Sequence, residues 1–202
     1  MLVRRPAILA TIVMTTVAVL PWASAGPAAA AASWASRSQM SAATLTAAEA
    51  TVANPSGIGP DGAKDAFRPH TSTKFSGSLM NFPDAQEFSR NFSWTDPQAA
   101  TPAAILLDQF ATPKEAKTAW ASMTGQITGA KTAVTRENGL FTMVWTLPSV
   151  DASVPTSFRV TQSRTQGRLL VLGVCLGHDE AATTACASGV LNAELVKSKS
   201  LA

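Results

Sequence analysis

The residues best equipped for chemistry in this 202-residue chain are its two cysteines, its two histidines and one aspartate set in an apolar run. In an oxidising compartment Cys175 and Cys186 stand close enough to close a short loop, a bridge contributing about 2 to 4 kcal/mol. Cys175-Leu176-Gly177-His178 also has zinc-like C-x-x-H spacing, but a fourth ligand would have to come from His70 or a carboxylate. The disulfide is therefore the preferred reading, and no metal is expected. His178 is a candidate base for a serine nucleophile, yet no G-x-S-x-G elbow is present and Ser76-Gly77-Ser78 reads as a polar turn. His178-Asp179 reads more simply as a strand-to-helix connection. Asp108 sits within Ile105-Leu106-Leu107-Asp108-Gln109-Phe110, where burial would raise its pKa and make it an acid. The plainer reading, which we prefer, has Asp108 facing water or paired with Arg136 or Arg159. No catalytic residue is assigned.

Tryptophans suit either a core or a binding groove. Trp120, at helical spacing from Met123, belongs to a core; Trp94, beside Arg90 and ahead of Asp96-Pro97, is expected to be partly exposed. Trp94 and Arg90 are accordingly the expected ligand-binding residues. Asn91-Phe92-Ser93 has the form of a glycosylation sequon and is read as chance.

The elements that must position these residues are legible in places. Thr112-Pro113-Lys114-Glu115 is a capping box, and Ala116, Ala119, Trp120, Met123 and Ile127 follow at three- and four-residue steps, predicting a helix to about Thr128. Strands are expected over Glu87–Trp94 and Ala103–Phe110. Asn138-Gly139 predicts a tight hairpin between Ala133–Glu137 and Leu140–Leu147. Phe158, Val160 and Gln162 alternate along a further strand, and Leu169–Leu176 is apolar enough for a central one. Asp179 caps a last helix to about Val196, with Ala182, Cys186, Val190 and Ala193 inward. Hairpins joined by short turns predict an α+β fold, an antiparallel β-sheet with helices packed on one face in two layers.

Residues 1–32 read as a secretory signal peptide: Arg4-Arg5, an apolar run from Pro6 to Leu20, then small residues, with cleavage expected after Ala25 or Ala32. The apolar run is shorter than the roughly 20 residues that span a bilayer. No spanning segment follows, so no stable membrane insertion is expected after cleavage. The proline after the arginine pair favours general secretion, and no cysteine follows the run for lipid attachment. Only four of the 42 residues from Ser33 to Lys74 are Leu, Ile, Val or Phe, against 30 of 128 from Phe75 onward. Residues 33–74 are thus expected to be an Ala/Ser/Pro/Gly-rich tether, with a short helix over 41–52, and 75–202 the globular domain. The composition, 46% hydrophobic and 14% charged, excludes collagen-like and highly charged disordered chains. Of the net charge of +3, Arg4 and Arg5 supply two, and no basic cluster remains. Nucleic-acid binding is not expected.

The order strand, Phe110-Ala111-Thr112-Pro113-Lys114-Glu115-Ala116 into a tryptophan-bearing helix, hairpin, Gly167-Arg168-Leu169-Leu170-Val171-Leu172 strand and alanine-rich closing helix resembles the PknH-type extracellular sensor domain of actinobacterial serine/threonine kinases over residues 75–202. The resemblance implies an α+β domain with a cleft for an unidentified ligand. The sequence has two cysteines where that type has two disulfides, and lacks kinase and membrane segments; no ligand residue is carried over. The expectation is a secreted, non-catalytic binding domain outside the cell, taking a small envelope molecule or a protein, with no cofactor. The alternatives are a small extracellular hydrolase using His178 or Asp108, and an interaction or inhibitor scaffold.

Overall fold

A computed structural model describes residues 33–72, 82–94, 100–126, 132–147 and 156–202. The signal-peptide reading, Ser76-Gly77-Ser78 and the Asp96-Pro97 turn fall outside these residues. Seven strands form one antiparallel sheet in the order β1-β2-β3-β7-β6-β5-β4. They are β1 (Gly62–Arg68), β2 (Gln86–Ser93), β3 (Thr101–Gln109), β4 (Thr132–Glu137), β5 (Leu140–Leu147), β6 (Ser157–Gln166) and β7 (Leu169–Gly177). From β3 the chain passes through helix α3 (Pro113–Gln126) to the far edge at β4, then meanders back until β7 lies against β3. Asn138 and Gly139 turn the β4–β5 hairpin with φ of 50° and 75°, the conformation that Asn-Gly tolerates best.

The expected α+β class and antiparallel sheet are what the chain forms. The helices, however, divide between the two faces of the sheet. Leu106, Leu170, Leu172, Phe141 and Met143 meet Ala116 and Met123 of α3. Ile105, Val160 and Cys175 meet Cys186, Ala187 and Val190 of α4 (Glu180–Lys197) on the other side. The cause is written in β3 and β7, whose apolar runs do not alternate and so bury side chains in both directions. Of the expected inner stripe of α4, Cys186 and Val190 are buried and Ala193 packs partly against the core, whereas Ala182 is exposed; Thr183, Ala187, Leu191 and Glu194 are buried beside them. Gly173 lets α4 approach, since a Cβ there would lie 3.1 Å from the Leu191 nitrogen.

Residues 33–72 correct the tether reading. They supply helices α1 (Arg37–Ala42) and α2 (Ala47–Ala53) and the edge strand β1, paired with β2 from Gly62↔Ser93 to Arg68↔Glu87. Residues 33–54 act as a strap across the sheet on the α4 side. Ala35, Met40, Leu45 and Ala50 are buried, but side chains of the body provide much of the grip. Gln109 accepts from the Ala35 N–H at 2.9 Å, and Gln86 donates to the Ala35 carbonyl. Arg90 donates to the Thr44 and Leu45 carbonyls at 3.0 Å each, while Glu194 accepts from the Leu45 N–H at 2.8 Å. Asn54 bonds the Ala100 carbonyl at 2.7 Å, and Lys197 pairs with Glu49. At Gly189 a Cβ would fall 2.0 Å from the Ala53 carbonyl, so the end of α2 can dock on α4 only against a glycine.

Candidate functional site

A groove of about 860 Å³ lies on the α3 side, within the usual range for ligand pockets. One wall is Phe82, Pro83 and Asp84; the other is the first turns of α3, with Thr112, Lys114, Glu115, Thr118, Ala119 and Ser122. Phe110 and Ala111 lie between them, and the Phe82 ring meets Phe110 edge-on at 5.6 Å. The position of α3 follows from its cap. Thr112 Oγ1 accepts from the Glu115 N–H at 3.2 Å and Glu115 returns the bond to the Thr112 N–H at 3.1 Å, fixing the helix start directly after β3. The groove combines an aromatic pair with hydroxyls and mixed charges at its rim, a lining suited to an amphipathic molecule.

Asp108 corrects the plainer sequence reading. It is fully buried on the α3 side of β3, neither of its oxygens has a partner, and neither Arg136 nor Arg159 pairs with it. Burial, aided by the nearby Glu87 charge, pushes its carboxyl well above the ordinary range, against a smaller opposing effect of Arg68. Trp120 Nε1, Thr161 Oγ1 and Ser163 Oγ, also on this side, are buried without partners.

Arg90 and Trp94 do not come together at this groove. Arg90 lies on the opposite face and is buried; its guanidinium bonds Asp65 at 2.7 Å twice, Ser41 at 2.9 Å and the two strap carbonyls. The Arg90 guanidinium in turn holds the Asp65 carboxyl below its usual range. Trp94 is half-buried at the end of β2 and lines none of the groove. The groove residues themselves went unassigned in the sequence reading, although the capping box at Thr112 already marked where α3 opens beside Phe110.

The disulfide Cys175–Cys186 is formed and buried, tying β7 to α4. Cys175 is therefore not a free thiolate for the C-x-x-H arrangement, and among the described residues no group of three or more His, Cys, Asp or Glu could hold a metal. His178 is half-buried, with Nδ1 3.1 Å from Ser157 Oγ and 3.2 Å from the Thr156 carbonyl. Which of the two contacts Nδ1 makes depends on the tautomer: it accepts from the Ser157 hydroxyl when unprotonated and donates to the Thr156 carbonyl when it carries the proton. Asp179, the obvious third member of a triad, instead caps α4 by accepting from the Ala182 N–H at 2.7 Å.

The fold and groove together define an α+β domain with a concave, partly aromatic site on one face of its sheet. Comparison with protein-family models and with curated proteins found no match for the chain.

Proposed function

We propose that the chain is an exported, non-catalytic binding domain that holds a small envelope molecule or a segment of a protein partner between the Phe82–Asp84 wall and α3. The observation that carries this reading is the groove itself, aromatic at its centre and polar at its rim. The leader-like residues 1–32 support a site of action in the envelope or outside the cell. The resemblance to the PknH-type sensor domain supports a sensing or carrier role. Among the described residues no helix is long and apolar enough to cross a membrane.

Native mass spectrometry of protein purified from culture, with and without added envelope extract, tests the reading. A retained mass that disappears when Thr118→Trp fills the groove is the expected result. A protein that carries no extra mass and gains no thermal stability from the extract would overturn it. The Ser157–His178 contact favours a second reading, a serine hydrolase. A fluorophosphonate probe that labels Ser157 would establish that alternative, and no labelling would remove it.

A further inference from the structure

Behind the groove, three neighbouring strands set Arg68, Glu87 and Asp108 side by side on the α3 face, Arg68 opposite Glu87 and Glu87 opposite Asp108. All three are buried, at 3%, 2% and 0% exposure. Arg68 Nη2 stands 3.5 Å from Glu87 Oε2 and donates to the Phe82 carbonyl at 2.7 Å, while Nη1 donates to the Ser72 carbonyl at 3.2 Å. One guanidinium therefore serves both a buried carboxylate and the backbone of the groove wall. Asp108, the next side chain in the row, has no hydrogen-bond partner at either oxygen. The charges that act on it are Glu87 from β2 and Arg68 from β1; β7 sets Leu170 opposite it, and α3 brings Ala116, Trp120 and Met123 to this face.

Resting on the binding reading above, we propose that Arg68 is the positioning residue of the Phe82 wall and that the proton on Asp108 sets how firmly it holds. With Asp108 protonated, the charge of Arg68 is shared between Glu87 and the carbonyls of Phe82 and Ser72. When Asp108 loses its proton, a second negative charge forms in a medium that screens it poorly, and Arg68 is the cation in the row that can answer it. The guanidinium is drawn toward Asp108 and away from Phe82. Because Phe82 meets Phe110 edge-on across the groove, a displaced Phe82 backbone widens the aromatic centre of the site. The groove is well shaped while Asp108 is protonated and loosens as pH rises through its ionisation.

The Ala85 N–H also bonds the Phe82 carbonyl, at 3.1 Å, and so reports on the same oxygen. An NMR pH titration of the full domain should show the Phe82 and Ala85 amides moving with the same midpoint as the Asp108 carboxyl carbon. That movement should vanish in Asp108→Asn, and Arg68→Lys should restore part of what Arg68→Met loses. Amides that titrate unchanged in Asp108→Asn would overturn the proposal. So would a wild-type midpoint different from that of the Asp108 carboxyl, a comparison that holds even where the variant does not fold. As a second measurement, 1-anilinonaphthalene-8-sulfonate should bind the wild type about fivefold or more weakly above the Asp108 midpoint than below it, and Asp108→Asn equally at both. If Phe110→Ala leaves dye binding unchanged, the groove is not the binding site, and the amide titration still decides the role of Arg68.

Discussion

The two faces of the sheet are built on different principles. On the α4 face several buried polar groups hold chain: Gln86, Gln109 and Arg90 bond strap backbone, and a disulfide joins sheet to helix, although Glu194 Oε1 stays unpartnered. On the α3 face, among the described residues, α3 covers the sheet with Ala116 and Met123 buried, and Asp108, Trp120, Thr161 and Ser163 keep buried polar atoms unpartnered. An unpartnered buried polar atom costs free energy unless something supplies a bond, so such atoms mark where stability has been given up. The difference teaches a division of labour, with strap-holding bonds and a disulfide on one face and, on the other, an open groove beside buried polar atoms that are left unsatisfied.

Removing the strap should have the largest effect. Deleting residues 33–53 exposes Phe88, Leu107, Val171 and Leu191 and leaves Gln86, Gln109, Arg90 and Glu194 without their backbone partners, so the cooperative thermal transition should be lost. Limited proteolysis gives the complementary readout: a protected core beginning near Ser33 fits the strap, whereas rapid trimming to Phe75 would restore the tether. Next in size is the disulfide. Cys175→Ala with Cys186→Ala opens a link across 11 positions and should cost about 3 kcal/mol by denaturant melts, with little change in ligand affinity. A loss of affinity as large as the loss of stability would break the separation of the two faces.

The fold is unevenly legible in the sequence, and the reasons are physical. The hairpin at Asn138-Gly139, the central strand at Leu169–Leu176, α3 and the cysteine bridge were legible because each carries a local signal. The strap is legible only in part, through the short helix expected over 41–52 and found as α2, because its apolar content is low. Its backbone is held by side chains distant in sequence, as Gln109 to Ala35 and Glu194 to Leu45 show. Yet a local signal was present: Ser36 to Gln39 and Thr46 to Glu49 both form capping boxes, the same motif that marked α3 at Thr112. The burial of Asp108 and the grip of Arg90 on the strap are hidden for a related reason. Neither the depth of a strand nor the partner waiting across it is written in the neighbouring residues.

Glu194 shows how the strap is coupled to pH. Burial pushes its carboxyl up to about 7, against the lowering effects of the Leu45 N–H, Lys197 and Arg90, and Glu49 adds a smaller push upward. The folded state then holds a proton that the unfolded chain releases above its ordinary value of 4.5, so stability falls as pH rises from there through about 7. The loss should be about 3 kcal/mol across that window, and Glu194→Gln should flatten that part of the slope. Asp108, raised in the same direction, should leave a residual decline. A wild-type stability that rises between these pH values would contradict the burial of both groups.

The smallest effect on stability should come from the groove, and it is the sharpest test of the comparison. Thr118 is exposed on α3 and its hydroxyl bonds only the Lys114 carbonyl, one turn back in the same helix. Replacing it with tryptophan adds a large side chain above open space rather than into packed core, so unfolding free energy should change by less than about 0.5 kcal/mol. The same indole lies across the groove opposite Phe82 and Pro83 and should abolish retention of a bound molecule. The α4 face predicts the reverse pattern: Arg90→Met should lower stability by about 2 to 4 kcal/mol, since it takes the Arg90 donor from the Thr44 and Leu45 carbonyls and leaves Asp65 with the Ser41 hydroxyl alone, while the groove keeps its ligand. Measured together by thermal melts and native mass spectrometry, the two variants should fail in opposite ways. If both lose stability and ligand in parallel, the faces are one cooperative unit and the division of labour does not exist.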